Sequence, residues 1–169
     1  AIGQSDNNYT TVALSRYVTA VASGKKYNYQ LMNKIVDADG KTVKKYKADY
    51  EDISDTLTSS QWDAIHSGMR EVVSTMDRFQ GFDIPVAGKT GTAQQNLKRP
   101  NHALFVGYAP YDDPEITIAV RIANGYSSHN AATAARNVIS YYYKETSMKD
   151  IKEMKAAGAN GNIRNSVAD

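Results

Sequence analysis

The sequence has no cysteine, a single tryptophan, four prolines and a net charge of only +2 over 169 residues. Without cysteine there is no disulfide framework and no thiolate-ligated zinc, although the absence leaves the cellular compartment open. So small a positive balance, with the basic residues scattered along the chain, gives no electrostatic basis for a nucleic-acid partner. No run approaches the roughly 18 apolar residues of a membrane span, and the opening "AIGQSDNNYTT" lacks the basic start and apolar core of a signal peptide. What is present is ordinary: 41% hydrophobic and 22% charged residues, in a chain of one-domain length. It opens on Ala1, without an initiator Met, among residues that already read as structure, and is therefore expected to be a fragment.

Helical spacing first appears over residues 10–22, where Val12, Ala13, Tyr17, Val18, Ala20 and Val21 recur behind Asp6, Asn7 and Asn8 as candidate caps. This helix is predicted to end near Ser23-Gly24. Asp39-Gly40 then divides two apolar-bearing runs in "YQLMNKIVDADGKTVKKYK", which predicts an exposed β-ribbon. A second helix is expected over residues 59–75, from Trp62, Ile65, Met69, Val72 and Val73 behind hydroxyl residues able to cap. "DIPVAGKTGTAQ", "NHALFVGYAP" and "EITIAVRIAN" follow as three β-rich segments with short links, the pattern of an antiparallel meander. Residues 130–143 predict a closing helix with Ala131, Ala134, Ala135, Val138, Ile139 and Tyr142 on one side. The last ten or so residues, Gly- and Asn-rich, are expected to fray. The fold class predicted is α+β, a three-stranded antiparallel meander with helices packed on it.

Three chemistries compete for "VAGKTGTAQQ" at residues 86–95. A phosphate loop would need a glycine at position 83 and a helix straight after Thr90, but the chain has Asp83 and Gly91 there. A metal site would need grouped ligands, and His66, His102 and His129 are far apart, none in a spaced His/Glu pair. His66 reads as a partly exposed helix residue and His102, opening a strand, as structural. The third reading is a strand edge. Alternation puts Lys89 and Gly91 on one face and Thr90 and Thr92 on the other, unless a twist or bulge turns them towards one cleft. Such an edge offers an ammonium, hydroxyls, backbone N–H groups and, at Gly91, room for another backbone, which suits an anionic peptide-like ligand. It also suits a plain surface strand made soluble by Lys and Thr, and the four residues alone do not separate the two.

In context the segment resembles the Lys-Thr-Gly box of the penicillin-binding proteins, the serine D,D-transpeptidases that cross-link peptidoglycan, and their class B members most. "AIGQ" followed by "YTTVALSRYVTAVAS" is similar to the family's Gly-Gln element and long helix, with Thr11 where a proline is usual. "AIHSGMREVVS" resembles the segment before the box, "VAGKTGTAQ" is the full family phrase, and "NHALFVGYAP" and "PEITIAVRIAN" resemble the two strands after it. The resemblance covers residues 1–145, as the C-terminal portion of a transpeptidase domain of β-lactamase/transpeptidase-like fold, and leaves 146–169 as a polar tail.

The resemblance implies that Lys89 supports catalysis and adds positive potential, that Thr90, Gly91 and Thr92 bind substrate, and that the Thr92 backbone N–H forms half of an oxyanion hole. It implies no cofactor and no metal. Peptidoglycan stem peptides and β-lactams are the expected ligands, and an extracytoplasmic location, anchored by a segment absent from this chain, is the expected setting. The family also needs Ser-x-x-Lys and Ser-x-Asn motifs. Ser23-Gly24-Lys25-Lys26 and Ser5-Asp6-Asn7 satisfy both patterns, but in the wrong order and after Gly3-Gln4 rather than before it. Both read as chance, so the nucleophile is expected to lie in a missing N-terminal part of the same domain, which this chain would need as a partner. A β-lactam-sensing or β-lactamase-like domain of the same fold is the alternative. Trp62, Met69, Tyr17 and Phe105 are expected to pack in the core, and Tyr141-Tyr142-Tyr143 to supply one buried and two half-exposed rings.

Overall fold

The computed structural model describes residues 8–95 and 97–153. Gly3-Gln4, Ser5-Asp6-Asn7 and the Gly/Asn-rich end therefore lie outside the described residues. The first element is α1 (Thr11–Ser23), whose cap is Thr10, its hydroxyl accepting from the Ala13 N–H at 3.1 Å. Asn8, one of the predicted caps, does not serve. Gly24 ends the helix in the left-handed region at φ 65°, and its N–H donates to the Ala20 carbonyl, the usual glycine stop.

Two short antiparallel ribbons follow. β1 (Lys25–Tyr27) pairs antiparallel with β4 (Tyr50–Asp52), and between them β2 (Lys34–Val36) and β3 (Thr42–Lys45) form the expected exposed hairpin. Its turn is built by Gly40 at φ 81° and by the Asp37 carboxylate, which accepts from the N–H groups of Asp39 and Lys41. α2 (Ser59–Ser74) starts on a capping box: Thr58 and Gln61 each accept from the other's backbone N–H.

The meander is β5 (Ala87–Ala93), β6 (His102–Ala109) and β7 (Ile116–Ile122), antiparallel in the order β5-β6-β7. Directly opposed residues share a face, so the register sorts the side chains. Val86, Thr90 and Thr92 stand with Ala103, Phe105, Ala109, Ile118 and Val120 on one side, beneath α3 (Ser128–Tyr142). Ala87, Lys89 and Gly91 stand with Leu104, Val106, Tyr108 and Arg121 on the other side, where α1 brings Val18 against Tyr108. α2 meets the start of β5 between the two: Met69 packs with the α1 side and Val73 with the α3 side, while Arg70 donates to the Val86 carbonyl at 3.1 Å.

Several packing expectations are corrected. Tyr17 is 64% exposed and Val12 60%, and Ala132 on α3 and Tyr143 at its C-terminal cap face the core in place of Val138 and Tyr142. α3 contacts only one sheet, so its buried stripe runs Ala131, Ala135, Ile139 and its flanks stay wet. Tyr143 is half-buried with its hydroxyl donating to the Ala109 carbonyl at 3.3 Å, while Tyr141 and Tyr142 are exposed. Phe105 is fully buried, and Trp62 and Met69 are half-buried. Beyond α3 the polar stretch opens on α4 (Met148–Glu153), capped by Ser147, whose hydroxyl lies 2.5 Å from the Asp150 carboxylate; this bond holds Asp150 below the usual carboxylate range.

Two glycines are fixed by this packing. A Cβ on Gly88 would stand 2.4 Å from Phe105 Cζ and 2.7 Å from the Val106 carbonyl oxygen, and one on Gly107 would stand 2.6 Å from the Ala87 oxygen. Since backbone cannot yield cheaply, Gly88→Ala is expected to cost about 1–3 kcal/mol of stability, read from the urea midpoint at unchanged slope.

Candidate active site

Lys89, Thr90, Gly91 and Thr92 lie side by side on β5, the outermost strand of the sheet. The ladder runs without a bulge from Ala87 opposite Tyr108 to Ala93 opposite His102. The expected alternation therefore holds, and no bulge turns the hydroxyls to the lysine's face. The lysine crosses the edge instead. Its Nζ donates to the Thr90 carbonyl at 3.2 Å and reaches 3.5 Å from Thr90 Oγ1, so ammonium and hydroxyl meet at the rim while Lys89 stays exposed.

Gly91 differs from Gly88 and Gly107. A Cβ there would meet Leu104 at 3.4 and 3.9 Å, ordinary contact distances, and its backbone is not in the left-handed region. Nothing described in this chain requires a glycine at 91. The vacancy lies on the exposed lysine's face, where an incoming backbone could use it.

The two Ser-containing patterns fare as follows. Ser23 is the last residue of α1 and its hydroxyl donates to the Thr19 carbonyl at 2.7 Å. Gly24 then turns the chain into β1, so no helical turn sets Lys26 beside Ser23. The Lys26 ammonium is 2.7 Å from Glu51, holding that carboxyl below the usual range, and Lys25 lies over the Tyr50 ring. Ser5-Asp6-Asn7 lies outside the described residues.

The histidines serve three separate places. His66 is half-buried on α2, its Nε2 at 2.8 Å from the Val21 carbonyl, where it must donate. His129 sits at the start of α3 with Ser127. His102 is buried, its Nδ1 accepting from the Asn124 backbone N–H at 3.0 Å and its Nε2 at 2.8 Å from Gln95 Oε1. Burial first, and then the Arg121 guanidinium, push His102 below the ordinary imidazole value. Its structural reading was available from the sequence; its partners Gln95 and Asn124 carried no signal there. Among the described residues no group of three or more His, Asp or Glu could hold a metal ion.

This geometry, an edge strand with a lysine and an unfilled glycine on one open face, meets an independent finding: residues 1–140 match the family described as the penicillin-binding protein transpeptidase domain. The chain belongs to that family. Its similarities within the family fall in class B. It is 31% identical to the peptidoglycan D,D-transpeptidase MrdA of Haemophilus influenzae, over 85% of this chain and 25% of that protein. Penicillin-binding protein 2A of Bacillus subtilis is 28% identical over 89% of this chain and 24% of its own length. Among solved structures, penicillin-binding protein A of M. tuberculosis as an imipenem acyl-enzyme complex superposes with a TM-score of 0.73 at 22% identity, over 84% of this chain and 32% of that one. Penicillin-binding protein 2B of Streptococcus pneumoniae gives 0.71 at 23% identity, over 83% and 26%. The α+β fold is thus β-lactamase/transpeptidase-like, and the chain spans about a quarter of the length of the curated relatives it matches.

Ser23, hydrogen-bonded to its own helix and without a free ammonium beside it, is not set up as a nucleophile. Incubation of the chain with a fluorescent penicillin is expected to leave it unlabelled; a covalent adduct on Ser23 by mass spectrometry is the contrary result.

Proposed function

We propose that this chain supplies the Lys-Thr-Gly wall of a serine-type D-Ala-D-Ala transpeptidase whose nucleophile lies in a complementary N-terminal part of the same domain. The observation that carries the reading is Gly91: on the same open face as the exposed Lys89, it lacks a side chain that its neighbours would tolerate. An extended stem peptide or a β-lactam laid against β5 needs that space.

In this reading Lys89 supplies a hydrogen bond to the Ser-x-Asn motif and positive potential towards the ligand's carboxylate, which the Thr90 and Thr92 hydroxyls also approach. The backbone N–H of Thr92 and that of the serine hold the developing oxyanion. The serine oxygen attacks the penultimate D-Ala carbonyl, the C–N bond breaks, and terminal D-Ala leaves as a protonated amine. An amine of a neighbouring stem peptide then attacks the ester, forming the cross-link and releasing the serine. In this reading the enzyme works outside the cytoplasmic membrane, held by an anchor outside this chain; no described helix is long and apolar enough to cross a membrane. Residues 1–145 are read as the domain portion and 146–169 as a tail beyond it.

The partner part has a seat. An open, strongly apolar groove of about 730 Å³ runs between α1, the ribbon and α2, lined by Tyr9, Tyr17, Ile53, Leu57, Trp62 and Ile65. Apolar surface of this extent on a chain a quarter of its relatives' length is what a split core leaves exposed. Co-expression with the complementary part is expected to raise the thermal midpoint and recover acylation, and Tyr17→Asp to weaken that association; equal stability with and without the partner speaks against it.

The function is tested on the reconstituted protein. Lys89→Ala is expected to slow acylation by a β-lactam on the order of 10²–10³-fold. Gly91→Ala is expected to slow it at least about tenfold, or 1.4 kcal/mol, while leaving the fold as stable or up to about 1 kcal/mol more stable, since alanine suits a strand better than glycine. Unchanged acylation in both variants sinks the reading.

A further inference from the structure

We propose that His102 is a positioning residue that clamps the outgoing end of the ligand-binding strand to the rigid turn between β7 and α3. The proposal rests on the reading of β5 as the ligand-binding strand. Its geometry, however, stands apart from any ligand.

β5 is an edge strand, and its ladder to β6 ends at Ala93 opposite His102, one residue past Thr92. An edge strand is held from one side only, so its end is where it would fray. The His102 ring stands on the Lys89–Gly91 face and extends the hold two residues past the ladder, with Nε2 at 2.8 Å from Gln95 Oε1. Its other nitrogen is fixed by a donor that cannot change role: the Asn124 backbone N–H, 3.0 Å from Nδ1. A backbone N–H only donates. Nδ1 is therefore bare, the proton is on Nε2, and the Gln95 oxygen rather than its amide nitrogen faces the ring.

The turn on the far side is a firm anchor. Asn124 and Tyr126 are held at φ 53° and 67°, and Gly125 is buried with only 2.8 Å between its would-be Cβ and both Ala103 and Ile122. Tyr126 N–H donates to the Asn101 carbonyl, and the Asn130 side chain to the Gly125 carbonyl. Neutral His102 thus joins a mobile kind of element to a strained, packed one.

The clamp works only with neutral imidazole. A second proton would go to Nδ1 and point N–H at N–H. The charged group acting on the ring is Arg121, on the same face of β7; Lys98 and Arg99 in the β5–β6 link are exposed and of the same sign. Ala93 at the end of β5, Gln95 just beyond it and Asn124 in the turn, which meet the ring, carry no charge. Burial and Arg121 both oppose protonation, so His102 titrates below its ordinary 6.5. The sign follows: the clamp is fully present above pH 6.5 and is lost as pH falls through the lower folded value.

NMR on the 169-residue chain tests this without any ligand. Two-bond ¹⁵N–¹H correlation is expected to show the Nε2–H tautomer, and acidification to move the amides of Thr92, Ala93, Gln95 and Asn124 with one midpoint below 6.5. In His102→Ala, hydrogen-exchange protection at Ala93, whose N–H faces β6 when that of Thr92 faces the open edge, is expected to fall at least about tenfold, while Val106 and Val120 keep theirs. His102→Asn, whose amide can both donate and accept, is expected to restore protection at Ala93 and abolish the titration. An Nδ1–H tautomer, amides at 92–95 that ignore the titration, or protection lost equally across the sheet overturns the proposal. If His102→Ala does not fold, the tautomer and common midpoint in the unaltered chain decide it. Should these hold while Lys89→Ala and Gly91→Ala leave acylation unchanged, the clamp stands and the transpeptidase reading falls.

Discussion

The position of Phe105 decides most of what this chain presents. The ring is fully buried, stacked on Phe79 at 5.9 Å, and it fills the space where Gly88 and Gly107 would carry a Cβ. Those glycines are register partners, so one ring closes over both strands at once. A slip of one residue between β5 and β6 would bring side chains into that space and turn every residue of β5 to the other face. Lys89 and Gly91 would then point under α3 and the two threonines out. The parity of the candidate site is thus fixed from the back of the sheet, by a contact that touches no ligand.

That dependence also explains what could be read from the sequence. Period-two and helical spacing gave the meander, all three long helices and the Asp39-Gly40 ribbon, because each is decided by residues close in the chain. Alternation alone put Lys89 and Gly91 together. What it could not provide was the difference between Gly88 and Gly91, which look alike in "VAGKTGTAQ" and are opposite in cause: one yields to Phe105, seventeen residues on, the other to nothing among the described residues. The β1 and β4 strands escaped notice for a similar reason, since two charged residues and one tyrosine each are too short to carry a periodic signal, and Lys25 finds Asp52, and Tyr27 finds Tyr50, only in the fold. Tyr17 was read as core from a true apolar stripe that includes Val12; the stripe exists, but the described residues do not cover it.

The two faces of the sheet consequently do different work. Beneath α3 the alanines at 131, 132 and 135 let the helix approach closely and bury Phe105 and Ala109, while Thr90 and Thr92 stay half-buried at the rim. On the α1 side Val18 and Tyr108 close the sheet only at one end, burying the tyrosine hydroxyl, whose pKa is pushed up to about 12 chiefly by burial. Towards Lys89 and Gly91 that face stays open. The proposed transpeptidase role uses this asymmetry, because in that reading the nucleophile comes to the open side.

An edge strand that must receive another backbone cannot be covered along its outer rim, yet an uncovered edge is the least stable part of a sheet. It has to be made stiff by other means. Phe105 holds the middle of β5 from behind, Arg70 holds its start through the Val86 carbonyl, and the His102–Gln95 bond holds its exit. Only the last of these hangs on a proton. The two ends therefore differ in kind: the start is tied by a permanently charged guanidinium, insensitive to pH, and the exit beside Thr92 by an imidazole that must stay neutral, a state that its burial and Arg121 both favour.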